Sequence, residues 1–170
     1  MKKLIKQRLR EAVEASYIET EVNRIKSLPI EVEDGATFNL DGTKYNKGGL
    51  VVPAGTDETT QIELTTEKIF QFIQKNKARI SGDNFKVGMY KFPNENRVSI
   101  DLNIIVDKKY LKVALEFGRL AGQESLFDLD TFENIKTGSD GKTPKKFTPA
   151  EFAEIAKSLA VGKLPKAVMA

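Results

Sequence analysis

The sequence predicts an α+β fold in which helices cover one face of a small, largely antiparallel sheet. Apolar residues recur at helical spacing in four segments, and apolar and polar residues alternate in short segments between them. Glycine or proline marks most of the boundaries. With 170 residues, 40% of them hydrophobic, the chain is long enough for one globular domain with its own core and an appended arm.

The first segment, residues 2–26, predicts an amphipathic helix. Pro29 ends it, because proline disfavours helical geometry in the residue before it. The apolar stripe is narrow, which leaves two interpretations open: the helix packs on its own core, or it docks into a groove on another subunit. The stripe consists of Ile5, Leu9, Ala12, Val13 and Tyr17, and charged residues occupy the other face.

A β-hairpin is predicted next, because Asp41-Gly42 favours a two-residue type I′ turn. The register of such a turn pairs Phe38 with Tyr45 and Leu40 with Thr43. This hairpin would complete an N-terminal arm together with the first helix.

The boundary between this arm and the rest of the chain is predicted near residue 60. Gly48-Gly49 lets the chain turn into a short strand, residues 50–52, which Pro53 ends. Residues 54–61 are rich in Thr, Gly, Asp and Glu, a composition typical of a linker. We therefore predict a helix-and-hairpin arm over residues 1–60 and an α+β core over residues 61–170.

The core is predicted in the order α-β-β-α-β-α. Its last helix has the clearest local signal, because Thr148 and Glu151 form a capping box and Pro149 occupies the first helical position. Phe147 and Phe152 occupy the two positions of a hydrophobic staple. The predicted elements are a helix from Thr65 or Thr66 to about Gly82, strands over 85–92 and 97–106, a helix from Asp107 to Gly122, a strand over 125–130 that continues towards Ile135, and a helix from Thr148 to Gly162. In the first of these helices, Ile69, Phe72, Ile73 and Ile80 share one face.

Histidine and cysteine are both absent. The chain therefore has no disulfide, no thiolate or imidazole metal ligand and no Ser-His-Asp site. Gly141-Lys142-Thr143 resembles the end of a phosphate-binding loop, but the position that requires a small residue is Lys136, and the next helix begins only at Thr148. This stretch predicts a turn that leads into a basic surface loop.

Two groups of polar residues are candidates for chemistry. Strand alternation would place Asp128 and Asp130 on one face, where they could bind a divalent cation or simply face solvent. The other group consists of Asp101, Asn103, Glu116, Arg119 and Gln123. Because lone charged residues on amphipathic elements usually form the solvated face, we predict no catalytic, cofactor-binding or metal-binding residue, no cofactor and no enzymatic activity.

Basic residues are concentrated at the N-terminus. The net charge is only +3, but the first ten residues contain five basic and no acidic side chains. Such a segment could contact an acidic protein surface or nucleic-acid phosphates. We predict an interaction surface of Lys2, Lys3, Ile5, Lys6, Arg8, Leu9, Arg10, Val13 and Tyr17, with Lys142, Lys145 and Lys146 as a second basic region.

Membrane insertion and secretion are not expected. The longest apolar runs, such as residues 102–106, are too short to cross a bilayer. The basic start lacks the continuous apolar segment of a signal peptide.

Five stretches form a pattern that resembles a small domain of tailed bacteriophages, the crAss-like and related phages of gut Bacteroidetes: Val98–Asn103, Ala114–Arg119, Gln123–Asp130, Ile135–Gly138 and Phe147–Pro149. Those proteins also open with a basic helix of the Met-Lys-Lys-Leu-Ile-Lys type. The resemblance implies a phage origin and carries no known activity, so we expect a non-enzymatic accessory or virion-associated structural protein in the host cytoplasm or the virion. Its partners would be other phage structural proteins or copies of itself; a nucleic-acid-associated or anti-defence role is the alternative.

Overall fold

The computed structural model describes residues 2–53, 60–77 and 84–170, with side chains at all of these except residues 2–3, 10–16 and 60–62. Most of the predicted linker, and the predicted helix end with Ile80 and Gly82, lie outside the described residues.

The α+β class is confirmed. The helices are α1 (Lys2–Lys26), α2 (Thr66–Lys77), α3 (Leu111–Leu120), α4 (Pro149–Ala160) and α5 (Lys166–Met169), with a 3₁₀ turn at Lys108–Tyr110. The strands are β1 (Asp34–Asn39), β2 (Leu50–Pro53), β3 (Thr60–Ile62), β4 (Phe85–Lys91), β5 (Val98–Val106), β6 (Ser125–Asp128) and β7 (Glu133–Lys136). Two of these elements, β3 and α5, have no counterpart in the sequence-based prediction.

Within the described residues the strands form one sheet, in which neighbours follow the order β1-β4-β5-β2-β6-β7 and β3 pairs with β5. The pairings of β2 with β5 and β6, of β3 with β5 and of β6 with β7 are antiparallel. The described residues fall into two compact units. Unit 1 lies within Met1–Tyr45, Thr60–Ala78 and Val87–Ile100, and unit 2 within Asn46–Thr59, Arg79–Lys86 and Asp101–Ala170. Whether residues 1–60 act as a separate arm stays a prediction.

Unit 1 buries one side of α1 and one side of α2. In α1 the buried residues Ile18, Val22 and Ile25 are four and three positions apart, the spacing of a single helix face. The predicted face of α2 is confirmed by the burial of Ile69, Phe72 and Ile73. Full burial of one such side chain stabilises the fold by about 1.5–3 kcal/mol.

Unit 2 contains the aromatic cluster that holds α4. The capping box is present, since Thr148 Oγ1 accepts from the Glu151 N–H at 3.3 Å and a Glu151 carboxylate oxygen accepts from the Thr148 N–H at 2.6 Å. The rings of Phe147 and Phe152 lie edge to face at 6.4 Å, and Phe147 stacks at 6.2 Å on Phe117 of α3. The predicted helix start is therefore confirmed in each of its local parts.

The predicted register of the first hairpin is wrong by one residue. Phe38 pairs with Lys44 instead of Tyr45, and the Asn39 N–H donates to the Thr43 carbonyl at 2.8 Å. The loop therefore has three residues, of which Gly42 is the last, with φ +86°. A type I turn followed by one left-handed residue accounts for this register, and glycine adopts that conformation without strain.

The predicted continuation of the strand over 125–130 towards Ile135 is also wrong, because β6 ends at Asp128 and the chain returns as β7. The Asp128 carboxylate accepts from the Asp130 N–H at 2.8 Å, and the Phe132 N–H donates to the Asp128 carbonyl at 2.8 Å. An aspartate that binds the backbone two residues ahead favours a turn over a continued strand. The Asp107 cap is present, but it caps the 3₁₀ turn that leads into α3.

Candidate protein-interaction site

The two ends of α1 differ in exposure. Ile18, Val22 and Ile25 are buried, whereas all described side chains over residues 4–9 are exposed. Three of the exposed side chains are large and apolar: Leu4 at 55%, Ile5 at 52% and Leu9 at 61% exposure. The helix thus leaves apolar surface uncovered on its first turns.

Helical geometry places Leu9 on the side of α1 opposite Ile18. Nine residues separate the two, and at about 3.6 residues per turn this is about two and a half turns. Ile5 lies four residues before Leu9 and so shares its side. A straight α1 therefore cannot bring Ile5 and Leu9 onto the core that Ile18 packs against.

Leu4 was missed by the sequence analysis because it is not part of the predicted stripe. It precedes Val22 by eighteen residues, about five full turns, and therefore continues the direction of the packed face. The sequence does contain a signal for Leu4: it is an apolar residue in the first turns of a helix and has charged residues beside it. The exposed apolar surface of α1 consequently extends from Leu4 around to Leu9.

The electrostatics of this end of α1 are positive. Lys6 and Arg8 are exposed beside the apolar residues, and the first turn has no acidic side chain. The positive end of the helix dipole is therefore not compensated within the first turn. Lys2, Lys3, Arg10 and Val13 were predicted for the same surface, but their side chains lie outside the described residues.

The far end of α1 is fixed to β1 by Arg24. Its guanidinium donates to Glu21 at 2.8 and 3.0 Å, to the Gly35 carbonyl at 3.3 Å and to the Asp34 carboxylate. The hydrogen bond to Glu21, followed by that to Asp34, raises the pKa of Arg24 above its ordinary value. The pairs hold the helix end against the strand.

Tyr17 lies where the packed part of α1 begins. Its ring contacts Phe38 edge to face at 5.7 Å, and it is half-buried. Burial, and then the nearby Glu21 carboxylate, raise the pKa of the Tyr17 hydroxyl. Among the predicted interaction residues of α1 whose side chains the structure describes, Tyr17 is thus the one that contacts the protein's own core.

The second predicted basic region is partly engaged in structure. Lys145 donates from Nζ to the Val168 carbonyl at 2.9 Å and from its backbone N–H to Ala121 at 2.8 Å, so it fastens the C-terminal segment. Lys142 is exposed, with Nζ 3.7 Å from Asp140, and Lys146 is exposed as well. Residues 141–148 contain no helix, so the Gly-Lys-Thr stretch is a surface loop, as predicted.

Asp128 and Asp130 come together, but not on one solvent-facing strand surface. Asp128 is buried, at 4% exposure, whereas Asp130 lies in the turn after β6 and is exposed. The Lys108 ammonium lies 2.7 Å from Asp128 Oδ2 and 3.7 Å from Asp130 Oδ2. The hydrogen bond from Lys108 holds the pKa of Asp128 below its usual range, and those from the Asp130 and Thr131 N–H groups add to this.

The turn that carries Asp130 is also fixed by the residues just before β2. Asp130 accepts from the Gly49 N–H at 3.2 Å, and the Leu129 N–H donates to the Gly49 carbonyl at 3.0 Å. A β-carbon on Gly48 would lie 1.9 Å from Asp130 Oδ1, so only glycine fits there without a shift. The single Lys108 ammonium lies against both carboxylates and offsets one of their two negative charges, and in the described part of the chain no group of three or more acidic side chains could hold a metal ion.

Two of the remaining polar candidates form an ion pair with each other. Glu116 and Arg119 pair with each other at 2.6 and 2.9 Å, and each shifts the other's pKa towards the charged form. Asn103 is buried in β5. Their mutual pairing favours the charged forms of Glu116 and Arg119 at the surface of α3.

No protein-family model, curated protein or solved structure matches this chain. None of the helices in the described ranges has the length and apolar character needed to cross a membrane. The resemblance to phage proteins therefore stays a prediction.

Proposed function

We propose that this chain is a non-enzymatic binding protein whose first turns of α1 dock into an apolar groove with an acidic rim on a partner protein. The observation that carries the proposal is the exposure of Ile5 and Leu9 on the side of α1 that faces away from Ile18. An amphipathic helix in an apolar groove is a recurring mode of protein recognition. The uncompensated positive charge of the same turns selects for an acidic groove rim.

The exposed apolar side chains would supply part of the binding free energy. Ile5 and Leu9 are 52% and 61% exposed, so covering the exposed part of both in a partner would contribute about 2–3 kcal/mol, at about 1.5–3 kcal/mol for a side chain that is fully exposed. The charges of Lys6 and Arg8 would mainly speed association and set the orientation, and salt would weaken their effect. An apolar anchor with a basic rim therefore predicts an affinity that falls only modestly with salt.

The resemblance to tailed-phage proteins supports the biological setting. We propose a bacteriophage accessory or structural protein that works in the host cytoplasm or the virion, with another phage structural protein as its partner. Catalysis is not part of the proposal, because histidine and cysteine are absent and Asp128, Glu116 and Arg119 pair with neighbouring charges.

A nucleic-acid-associated or anti-defence role is the second candidate, favoured by the exposure of Lys6 and Arg8. Contacts to phosphates require the basic side chains and not Ile5 or Leu9. The two candidates therefore make opposite predictions for apolar and basic substitutions.

The test is incorporation into virions. Wild-type chain, the double variant Ile5→Asp with Leu9→Asp, and the control Val161→Asp, whose side chain is 58% exposed, are produced in infected host cells. Mass spectrometry then measures their copy number in purified virions. We expect wild type and control to be incorporated equally and the double variant to be lost at least tenfold.

Three other results would overturn the proposed docking. Incorporation of the double variant at the wild-type level would remove the role of Ile5 and Leu9. Absence of the wild-type chain, together with DNA or RNA binding that Lys6→Gln with Arg8→Gln abolishes, would establish the nucleic-acid role. Sedimentation of the purified chain as a dimer that the double variant dissociates would make a second copy the occupant.

A further inference from the structure

A cavity of about 220 Å³ lies within unit 1, between the end of α1 and the chain around the β4–β5 turn. Ile25, Leu28, Leu64 and Val98 form apolar parts of its lining, and Lys91 of β4 lines it too. Ile30, which also lines it, is 54% exposed. The volume exceeds that of one water, about 30 Å³ in the liquid, several times over, so a small organic molecule fits.

Lys91 is unusual for a lining residue because it is buried, at 7% exposure, although it carries a charge. Its Nζ donates to the Val32 carbonyl at 2.9 Å and to the Pro29 carbonyl. No carboxylate among the described residues forms an ion pair with it. An ammonium has three N–H donors, so the two carbonyls leave one donor and the whole positive charge for another group.

The other charges at the cavity do not supply that counter-ion. Arg97 pairs with Glu95 and also lies over the Phe92 ring, 4.7 Å from its centroid. Glu63 and Lys26 are exposed residues of opposite charge. The five charged lining residues therefore leave one net positive charge, and the buried one is Lys91.

A purely structural role explains the two hydrogen bonds but not the charge. Lys91 fastens residues 29–32 to β4, yet a buried charge without a counter-ion destabilises a protein unless it is compensated. A bound anion would supply that compensation and use the third N–H. The apolar walls would take the rest of such a ligand.

We propose that this cavity binds a small organic anion: a carboxylate with a short, unbranched hydrocarbon chain, its head group on Lys91 Nζ and its chain between Ile25, Leu28, Leu64 and Val98. The cavity belongs to unit 1 alone and does not involve Ile5 or Leu9. Anion binding in this cavity is therefore independent of the proposed docking of α1.

The experiment is a titration of the full chain with hexanoate, followed by amide chemical shifts. We expect saturable shifts at Leu28, Ile30 and Asn96 and none at Gly162. The neutral analogue hexanol should bind about tenfold more weakly or worse, because it lacks the charge-assisted hydrogen bond. Acetate should also bind more weakly, because it lacks the hydrocarbon chain.

Two variants assign the head-group contact. Lys91→Met should weaken hexanoate about tenfold or more, whereas Lys26→Met, which removes an exposed lysine from the same lining, should change the affinity by less than about twofold. The proposal is wrong if wild type shows no saturable shifts, if hexanol binds as tightly as hexanoate, or if folded Lys91→Met binds like wild type. Should Lys91→Met fail to fold, the comparison of hexanoate with hexanol on wild type decides.

Discussion

The ammonium of Lys108 and the buried carboxylate of Asp128 form an ion pair, with 2.7 Å between Nζ and Oδ2. The other Asp128 oxygen accepts the Asp130 N–H at 2.8 Å and the Thr131 N–H at 3.4 Å. One side chain thus ends β6, shapes the turn and connects it to the 3₁₀ turn before α3. In unit 2, Asp128 thus pairs with Lys108, whereas the sequence left a divalent cation as a candidate partner of Asp128 and Asp130.

Asp128→Asn should lower the free energy of unfolding by about 1–2 kcal/mol. The amide keeps an oxygen for the Asp130 N–H but loses the charge that attracts Lys108. Urea denaturation at neutral pH measures the change. Asp140→Asn is the matched control, because Asp140 pairs with Lys142 at the surface, and it should change stability by no more than about 0.5 kcal/mol. Equal changes in the unfolding free energy for the two substitutions would show that the buried Asp128 pair stabilises the fold no more than the surface pair of Asp140.

The same pair predicts acid sensitivity. The pKa of Asp128 is lower in the folded chain than in the unfolded chain, chiefly because Lys108 hydrogen-bonds its charged form. Its stabilising contribution is therefore complete above the unfolded-state pKa of about 4 and is lost as the pH falls through the lower folded-state value. Denaturation at several pH values should show the stability difference between wild type and Asp128→Asn shrinking below about pH 4. A difference that stays constant from pH 7 to pH 3 would contradict this assignment.

Phe132 predicts a stabilising substitution. It has φ +59° and a side chain that is 75% exposed. The left-handed conformation costs a residue with a β-carbon about 1–2 kcal/mol, and glycine avoids this strain. Part of the gain is cancelled because glycine has a larger conformational entropy in the unfolded chain. Phe132→Gly should therefore raise the unfolding free energy by about 0.5–1 kcal/mol in thermal or urea unfolding.

Phe132→Ala separates strain from the loss of the exposed ring. Alanine keeps the β-carbon and thus the strain, so stability should stay within about 0.5 kcal/mol of wild type. If alanine stabilised as much as glycine, removal of the ring and not relief of the backbone would be the cause.

The sequence predicted those elements whose signals are local. The Thr148 capping box, the buried face of α2 and the extent of α1 all depend on residues within a few positions of each other. The predicted hairpin register is wrong because Asp41-Gly42 suits both a two-residue and a three-residue loop. In the three-residue loop, the Asn39 side-chain amide donates to the Thr43 hydroxyl and the Thr43 N–H donates to the Asp41 carboxylate.

The rest depends on contacts between distant residues. One such contact joins Lys108 to Asp128, and another joins Lys91 to the Pro29 carbonyl. Both form only once the chain has folded. Sequence spacing also could not show which face of α1 the core covers. The stripe from Ile5 to Tyr17 was visible, but the core packs against Ile18, Val22 and Ile25, so the exposed surface of the first turns follows only from the structure.

This division of α1 predicts unequal effects of the same substitution at two positions of the helix. Ile18→Ala should lower the unfolding free energy by about 2–4 kcal/mol, because it removes a fully buried side chain and leaves a cavity. Ile5→Ala should change it by no more than about 0.5 kcal/mol, because Ile5 is 52% exposed and alanine favours helix at least as well as isoleucine. Urea denaturation of both variants measures the pair, and the protein concentration is varied to exclude self-association. A loss at Ile5 as large as that at Ile18 would mean that the first turns of α1 are covered, and that the docking surface proposed for them is already occupied.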